Sequence, residues 1–519
     1  MATTPTNLPV PSESPRDLKF NAGKIDEFVT SMGWTYIDRF GQKHYTIEGI
    51  NYIAQQAMNA FGYVILTGKT FTTGATINNP NEVLLNTADG EYYKWTGTFA
   101  SGPKVVPENS TPASTGGVGP GSWVGVGDAS LRAALAAMDG EKLIGECPDI
   151  ATLRTIEPSY DKQRITVREH TANTGYGGGQ FRAVMSGSSY ADNNGTIIKT
   201  SGGAAWVRVN VGYISPYMFG ALPRVDATTP TAHTAINAAA AAAESQTAKF
   251  HGLGATLNET GECTINNSNS IIFQNMGLVV TDVAASFNVV RVRNADHTIR
   301  RIRIEGSNSK VLGINVESTA TGTIVESCKV TNTGLTAIYS TASRVVARNN
   351  QTDSCGLLGT GNYRCSIWFN ENEHAVMEGN ICTNCAWGIL MRNTIGTSQG
   401  YFNTMRNNIV VSASGTDSSC QGISASAQFH LSTTDNIVRG FPNNAIDHQN
   451  CFGMIITGNQ IHQCSDGVFI GDRSCGRIII SNNNIEACNN GIQYYNPANS
   501  TPDYQNQTFA DEQITNNLK

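Results

Sequence analysis

The chain has 519 residues, enough for roughly three or four domains and for a large buried core. Its hydrophobic fraction of 40% is typical of a globular protein, whereas its charged fraction of 15% is low and its 52 glycines indicate β-structure with many turns. The net charge of -6 and the lack of a basic stripe in the sequence argue against nucleic-acid binding, so we expect no nucleic-acid partner.

No apolar run reaches the roughly 18 residues of a membrane-spanning helix, so we expect no membrane insertion. The first residues, MATTPTNLPVPSESPRD, lack the basic and apolar regions of a secretory signal, which predicts folding in a cytoplasm. The 12 cysteines are then expected to remain reduced. We predict no metal and no other cofactor.

Residues 1–17 are rich in Pro, Ser and Thr and predict a flexible tail. A compact mixed α/β domain is predicted over 18–126. Within it, apolar residues at helical spacing predict a helix over 46–60, and the runs YVIL at 63–66 and EVLL at 82–85 predict strands.

A short amphipathic helix is predicted at 128–138, within a neck segment over 127–145, because Leu131, Leu135 and Met138 share one face. This stripe could pack on the next domain or on an identical chain. Tight turns and alternating runs such as WVRVNV predict a small β domain over 146–214.

A longer helix is predicted next, with Thr229 as its cap and Pro230 at its first position, running through TAINAAAAAAES. A helix as apolar as this one usually covers the end of a structure. We therefore expect it to close one end of whatever the remaining chain forms.

The C-terminal part of the chain repeats one pattern: β-branched residues, a polar pair that usually contains Asn, then an aliphatic residue. The copies end at Val330, Ile381, Ile409, Ile437, Ile461 and Ile485. A second element, a small residue followed by an aliphatic one and alternation, recurs in step, as in WGILM, QGISA and DGVFI. Stacked coils of short strands explain a shared period of about 24 residues, which predicts a right-handed parallel β-helix over 215–519.

Equivalent side chains in such a stack lie directly above one another. Cys451 and Cys475 are separated by one coil period, as are Cys464 and Cys488, which predicts buried cysteine ladders beside hydrogen-bonded asparagine ladders. The CxxC at 382–385 could be a metal or redox site, but without a second pair we interpret it as core packing.

The N-terminal region resembles the head-binding domain of bacteriophage tailspikes from phages of enteric bacteria. The matching stretches are DLKFNAGKIDEFVTSMGWTYIDRFGQKHYTIEGINYIAQQAMNAFGYV at 17–64, TADGEYYKWTG at 87–97 and TPASTGGVGPGSWVGVGDASLR at 111–132. In that family the domain fixes the spike to the phage tail or to another spike, so the resemblance implies such a partner for 18–126.

The segment YMFGALPRVDATTPTAHTAINAAA at 217–240 resembles the entry segment of pectate-lyase-like β-helices of phages. Asp226 and Thr229 stand in a version that departs from the usual FGA-x-x-D-G run. Together the resemblances imply a mainly β protein: a single-stranded β-helix preceded by a small α/β head-binding domain and a small β domain. They also imply a virion homotrimer that binds, and usually cleaves, capsular or O-antigen polysaccharide at the bacterial surface.

Strand alternation predicts which β-helix residues point outward. In each run such as WGILM or DGVFI, we take the aliphatic residue after the glycine to point inward. The residues one and three positions after it then point outward. The resulting flank combines aromatic, amide, Arg and carboxylate side chains, which suits a sugar-binding groove. Six of them are predicted to bind substrate: Trp368, Asn370, Arg392, Gln449, Arg473 and Tyr495.

Glycosidic hydrolysis needs two carboxyl groups on either side of the scissile bond. Asp447 and Asp472 are one coil apart on the predicted flank and form the first candidate pair. Glu371, with Glu373 near it, is the third candidate. A solvated surface role for these carboxylates remains an alternative at this point.

Two other functions remain open. A lyase would need a base beside Arg, Lys or a metal, and Lys is scarce on this flank. A non-catalytic adhesin or assembly scaffold would use the β-helix only for binding. A serine esterase is disfavoured because no nucleophile elbow, a GxSxG turn between a strand and a helix, is expected: the run GTSQG at 396–400 lies within the β-repeat. EQITNN at 512–517 predicts the start of one more coil, with no distinct trimerisation domain after it.

Overall fold

A computed structural model describes most of the chain and divides it into two compact units, Met1–Gly145 and Glu146–Lys519. The described residues are 4–53, 62–126, 145–209, 211–245, 249–282, 284, 286–358, 361–394, 396, 398–413, 418–471, 475–496, 501–503 and 513–517. Across these ranges, no helix has the length and apolar character needed to cross a membrane.

The first unit begins with a helix, Pro15–Thr30, followed by short strands around a small core. The strands form three small sheets: Thr35–Ile37 with Lys43–Tyr45; Val64–Thr70, Glu82–Leu85, Tyr92–Trp95 and Trp123–Gly125; and Ala75–Ile77 with Lys104–Val106. Phe71, Leu84 and Trp123 form the centre of the core, with Phe71 and Trp123 in an edge contact of 4.8 Å. The sequence predicted both described strand runs, whereas the first helix was missed.

The first helix presents Leu18, Ile25 and Val29 to solvent, so its sequence carries no clear apolar face toward a core. Its one buried residue is Asp17, which pairs with Arg39 at 3.1 Å. Thr6 and Ser12, in the segment expected to be a flexible tail, donate hydrogen bonds to the same carboxylate. Residues 47–53 of the predicted 46–60 helix are helical, and 54–60 lie outside the described residues, as does the predicted helix at 128–138.

The second unit opens with a four-stranded antiparallel sheet. Its strands lie in the spatial order Ile197–Lys199, Ala205–Arg208, Gly177–Val184 and Arg164–Glu169. Phe181 and Trp206 are fully buried in its core, together with Leu153 from the short helix Ile150–Leu153. Short 3₁₀ turns lie at Gly187–Ser189 and Pro216–Phe219.

The Ala-rich segment forms the cap helix, His233–Ser245. Ile236 and Ala239 are fully buried in the large core of the unit together with Phe250, as expected for a helix that covers one end of a stack. The helix begins later than predicted because the Thr229 hydroxyl accepts hydrogen bonds from the N–H groups of Val225 and Asp226, which forms a preceding turn.

The remaining chain is a right-handed parallel β-helix with two long sheets. Sheet A comprises Thr256–Glu259, Ile272–Val280, Thr298–Glu305, Ile324–Glu326, Lys329–Thr331, Val346–Arg348, Gln351–Asp353, Val376–Glu378, Ile381–Cys385, Gly400–Tyr401, Thr404–Arg406, Ile409–Ser412, Gln428–Phe429, Ser432–Thr434, Ile437–Arg439, Phe452–Thr457, Gln460–His462, Gly476–Ser481, Asn484–Glu486 and Gln513–Thr515. Sheet B comprises Cys263–Ile265, Asn288–Val292, Leu312–Val316, Ile338–Ser340, Cys365–Asn370, Trp387–Arg392, Ile423–Ser426, Asn444–Gln449, Asp466–Gly471, Asn490–Asn496 and Thr501–Asp503. Tyr213–Ile214 and Lys249–Phe250 form a separate parallel pair beside the stack.

The predicted ladders are present inside the stack. Each asparagine of the main ladder donates from its side-chain amide to the next at 2.9–3.0 Å, through Asn350, Asn380, Asn408, Asn436, Asn459, Asn483 and Asn517. The N–H of Cys451 donates to the Cys475 sulfur at 3.4 Å, and Cys464 and Cys488 repeat the contact. Cys382 and Cys385 are fully buried in the core, as predicted.

One predicted register was wrong by one residue. Ile381, Ile409 and Ile437 pair with one another on the outer surface of sheet A, and Ile437 is 39% exposed. Their neighbours Cys382, Val410 and Val438 point inward instead. Because both residues of each pair are apolar, the sequence pattern could not distinguish the two registers.

Candidate functional site

Sheet B has the predicted register, and its outer face carries the candidate site. The inward row runs through Ile338, Ile367, Ile389, Ile423, Ile446, Val468 and Ile492. The first outward row stacks Tyr339, Trp368, Leu390, Ser424, Asp447, Phe469 and Gln493. The second places Asn370, Arg392, Ser426, Gln449 and Gly471 in line.

Most of the first outward row is buried, with only Tyr339 and Phe469 half-buried, which corrects the expectation of an exposed flank. Trp368 is only 6% exposed and Leu390 2%, because chain inserted between the strands packs over them. The 3₁₀ turn Gly361–Arg364 carries Tyr363, whose ring lies 5.2 Å from Trp368 and 5.8 Å from Tyr339. These three rings form a covered aromatic cluster.

The covered cluster is linked to the second row. Burial raises the pKa of Tyr339 to about 12, with smaller contributions from Tyr363 and Glu371, although a hydrogen bond from Asn370 opposes them. Asn370 lies beside Arg392 in the strand register, and Arg392 is exposed at the end of its strand. The predicted binding residues Trp368, Asn370 and Arg392 are therefore neighbours, but Trp368 is covered.

Asp447 lies in this buried row, with 1% of its surface exposed. Its carboxylate accepts hydrogen bonds from the side-chain amides of Gln421, Asn444 (2.9 Å) and Gln449 (3.0 Å). Burial raises its pKa from 3.8 to about 6, against the lowering effect of these three donors. Gln421 belongs to the insertion before its strand, so Asp447 holds that insertion against sheet B.

The sequence predicts Asp472 as the catalytic partner of Asp447. Asp472 and Arg473 lie outside the described residues, and the Tyr495 side chain is likewise not described. His448, between Asp447 and Gln449, points inward as alternation predicts, and burial lowers its pKa to about 3, which keeps it neutral.

Glu371 and Glu373 lie at the corner where sheet B turns into sheet A. Glu371 has a left-handed backbone (φ 56°) and accepts hydrogen bonds from the hydroxyls of Thr394 and Ser398. Asn372 between them is buried and donates to the carbonyl oxygen of Ala342, so the two glutamates point away from the core. Glu371 is half-buried and Glu373 is exposed.

A row of exposed and half-buried rings continues from this corner. We define the aromatic strip as His374, Tyr401, Phe402, Phe429, His430 and Phe452. The rings of Phe402 and His430 stack at 4.9 Å with an angle of 10°, and His374 lies 5.5 Å from Phe402. Phe402 is 57% exposed, although large aromatic side chains are usually buried. The His374 N–H donates to the Tyr401 carbonyl at 2.8 Å, which places Glu373 next to the strip.

Comparisons with known proteins agree on one family. Residues 56–128 match the tail spike TSP1/Gp66 receptor-binding N-terminal domain, and residues 146–211 match the phage tail protein small four-stranded β-sheet domain. Among solved structures, full-length tailspike protein 2 from the Escherichia coli O157:H7 bacteriophage CAB120 matches with a TM-score of 0.55 and 21% identity, over 89% of this chain and 67% of that chain. These matches and the shared fold support a bacteriophage tailspike.

Further relatives match shorter parts of this tailspike. A capsule KL64-specific depolymerase of Klebsiella phage P510 is 35% identical over 98 residues, or 19% of this chain and 9% of that protein. The Mu-like prophage FluMu defective tail fiber protein of Haemophilus influenzae is 34% identical over 89 residues, or 17% and 14%. The chain thus spans less than a sixth of either curated relative's length. The tailspike of Acinetobacter baumannii phage AM24 shares the fold, with a TM-score of 0.51 and 13% identity over 72% of this chain and 64% of that chain.

The β-helix also matches the family of periplasmic copper-binding protein NosD, over residues 358–518. Within the described part of the tailspike, no group of three or more His, Cys, Asp or Glu side chains is placed to hold a metal ion. The thiols of Cys382 and Cys385 are fully buried, and burial raises the pKa of Cys382 to about 12. The described residues therefore do not fit a copper site. The residues that match this family are those that form the repeated coils of the β-helix.

Sequence reasoning missed several residues of the site. Gln421 and Tyr363 lie in insertions, where no repeat register assigns a position. The aromatic strip did carry a signal, because Tyr401, Phe429 and Phe452 follow one another at intervals close to the coil period. Aromatic residues that recur once per coil, at positions other than those of the buried aliphatic residues, predict a row of rings on the surface of the β-helix.

Proposed function

We propose that this tailspike binds and depolymerises a surface polysaccharide of its bacterial host. The observation that carries the proposal is the aromatic strip with Glu371 and Glu373 at one end of it. Sugar rings present apolar C–H faces that pack on aromatic rings, and exposed carboxylates beside them can perform acid–base chemistry. The stacked coils, roughly 4.8 Å apart, give the strip the extended shape that a polymer needs.

Glycosidic hydrolysis by Glu371 and Glu373 is the mechanism that the accessible geometry supports best. The two glutamates lie two residues apart at one bend, with Asn372 turned into the core between them. Retaining and inverting hydrolases hold their two carboxyl groups about 5–9.5 Å apart, a spacing within the reach of side chains so placed. Thr394 and Ser398 would orient the Glu371 carboxylate through their hydroxyl groups.

Asp447 with Asp472 is the second candidate pair. A pKa near 6 suits Asp447 to the role of general acid, which must hold a proton near neutral pH. A substrate could reach it only after Gln421 and its insertion moved aside. We therefore place this pair second.

The other parts of the molecule support this role. We propose that residues 18–126 attach the spike to the phage tail or to another spike, that the protein is a homotrimer in the virion, and that it acts at the bacterial surface. The similarity of residues 56–128 to a tail spike N-terminal domain, and of 98 residues of the chain to a capsule depolymerase, supports these assignments. The inserted segments 351–372 and 393–420 are the expected determinants of which polysaccharide is bound.

The test is incubation of the full chain with a panel of capsules and O-antigens from enteric bacteria, scored for new reducing ends. We expect cleavage of at least one glycan, and about a 100-fold or greater loss in Glu371→Gln and Glu373→Gln with binding retained. Glu378→Gln is the matched control, because Glu378 pairs with Arg406 at 3.0 Å on the outer face of sheet A and should leave cleavage unchanged.

Three results would contradict the proposal in different ways. Loss of cleavage in Asp447→Asn or Asp472→Asn alone would move the site to the second pair. Glycan binding without reducing ends on any substrate would indicate an adhesin. New ultraviolet absorbance from an unsaturated uronate would indicate a lyase.

A further inference from the structure

A second groove lies on the β-helix, on the outer face of sheet A in its N-terminal half. It has a volume of about 670 Å³ and crosses several coils. Its polar lining includes His251, Asn275, Arg301, Arg303, Lys329 and Gln351. None of these residues belongs to the aromatic strip or to the outer face of sheet B.

Three positively charged side chains, those of Arg301, Arg303 and Lys329, line this groove. In the part of the chain that the structure describes, no ion pair is made by Arg301, Arg303 or Lys329, although many other arginines of the β-helix are paired. All three side chains are exposed. Such a concentration of positive charge is unexpected in a chain whose net charge is -6.

The carboxylates nearest in sequence register are engaged elsewhere. Glu305 accepts hydrogen bonds from Thr331 at 2.8 Å and from Asn332 at 3.0 Å. Asp353 accepts from Thr383 at 2.6 Å and from Asn384 at 2.8 Å, and the charge of Lys329 is only a minor cause of its lowered pKa. These neighbours therefore offset the charge of the groove only in part.

The groove residues are in line along the stack. Arg303 pairs directly with Lys329, and Lys329 pairs with Gln351, so the three lie on successive coils roughly 4.8 Å apart. Arg301 lies at the bend of the same coil as Arg303, with a left-handed backbone (φ 52°) that turns the chain out of the strand direction. Cations and amides thus line an elongated groove over several coils rather than closing around one small ion.

We propose that this groove binds a carboxylate-bearing segment of a polysaccharide, such as a run of uronate residues. Arginine and lysine recognise the carboxylates, and amide side chains such as Asn275 and Gln351 hydrogen-bond to hydroxyls. Among the described residues, the lining contains no Phe, Tyr or Trp on which nucleobases could stack. The site goes beyond the proposed function, because it needs no cleavage and its lining comes from earlier coils than the aromatic strip.

The test measures binding of the full chain to oligogalacturonate and to its methyl ester, which has the same backbone without the charge. We expect the acid form to bind, the ester to bind much more weakly, and affinity to fall as salt rises. Arg303→Gln should weaken binding of the acid form about tenfold. Arg406→Gln removes the same charge from the outer surface of sheet A, at a residue outside the groove that is already paired with Glu378, and should change affinity little.

The groove is tested separately from the catalytic proposal. Glu371→Gln should keep the wild-type affinity for oligogalacturonate, whether or not the protein cleaves any glycan. Equal binding of the methyl ester, equal loss in Arg406→Gln, or equal affinity for inorganic polyphosphate would overturn the uronate assignment. A changed oligomeric state of Arg303→Gln in sedimentation would also overturn it, because the groove would then be an interface between chains.

Discussion

The position of Asp447 in its strand predicts which way its side chain points but not whether it is buried. Alternation along its strand correctly predicts that it lies outside the β-helix core, in line with Ser424 and Phe469. The pattern does not reveal what lies over it, because Gln421 comes from an insertion that has no repeat register. A residue whose sequence position predicts a surface carboxylate is therefore a buried one.

The raised pKa of Asp447 predicts a pH-dependent stability. The folded protein holds this proton up to a pH of about 6, whereas an ordinary Asp releases it near 3.8, so stability should fall as pH rises between these values and then level off. The full effect corresponds to about 3 kcal/mol. We expect Asp447→Asn to lack this component, and thermal unfolding followed across the same pH interval measures it.

The comparison is between two curves of the melting midpoint against pH. The difference between wild type and Asp447→Asn isolates this group from Glu259, another buried carboxyl, whose pKa burial raises to about 8. Parallel curves between pH 3.8 and about 6 would show that Asp447 titrates as an ordinary surface carboxylate, which would contradict its burial.

At the scale of elements, the asparagine ladder ties the coils together. Asn408 accepts hydrogen bonds from the backbone N–H and the side-chain amide of Asn380 at 3.0 and 2.9 Å. Its own amide donates to the Met377 carbonyl and to Asn436 at 2.9 and 3.0 Å. Each ladder residue therefore satisfies buried polar groups on the coils before and after it.

Removing one asparagine of the ladder should lower the free energy of unfolding. Asn408→Ala leaves several buried donors and acceptors without partners, and we expect a loss of about 3 kcal/mol, seen as a lower melting temperature with the secondary structure retained. Gln460→Ala, at an exposed position of the same sheet, should change the melting temperature little. Similar melting temperatures for the two variants would show that the ladder contributes packing alone.

The sequence predicts elements best where they repeat. The shared coil period predicts the β-helix and its inward rows on sheet B, because every coil repeats the same environment. It does not predict the first helix, Pro15–Thr30, whose one buried residue is Asp17. It also places the start of the cap helix too early, because Thr229 caps a turn through its side chain.

The whole molecule combines a tailspike N-terminal region with a long β-helix that offers two unlike surfaces. The corner between sheets B and A carries aromatic rings beside Glu371 and Glu373, and earlier coils of sheet A carry a basic groove. The sequence located the first surface only in part, since it predicted Glu371 and Glu373 but not the strip of Phe402 and His430. Exposure depends on how insertions pack, and a repeat pattern contains no information about that.

The most direct test of the central claim is a crystal structure of Glu371→Gln in complex with a fragment of a glycan that the wild-type protein cleaves. We expect a sugar ring on Phe402 and a glycosidic oxygen within hydrogen-bond distance of the residue-371 side chain. Glycan bound elsewhere on the β-helix, with no contact to Phe402 or to residues 371 and 373, would contradict the account.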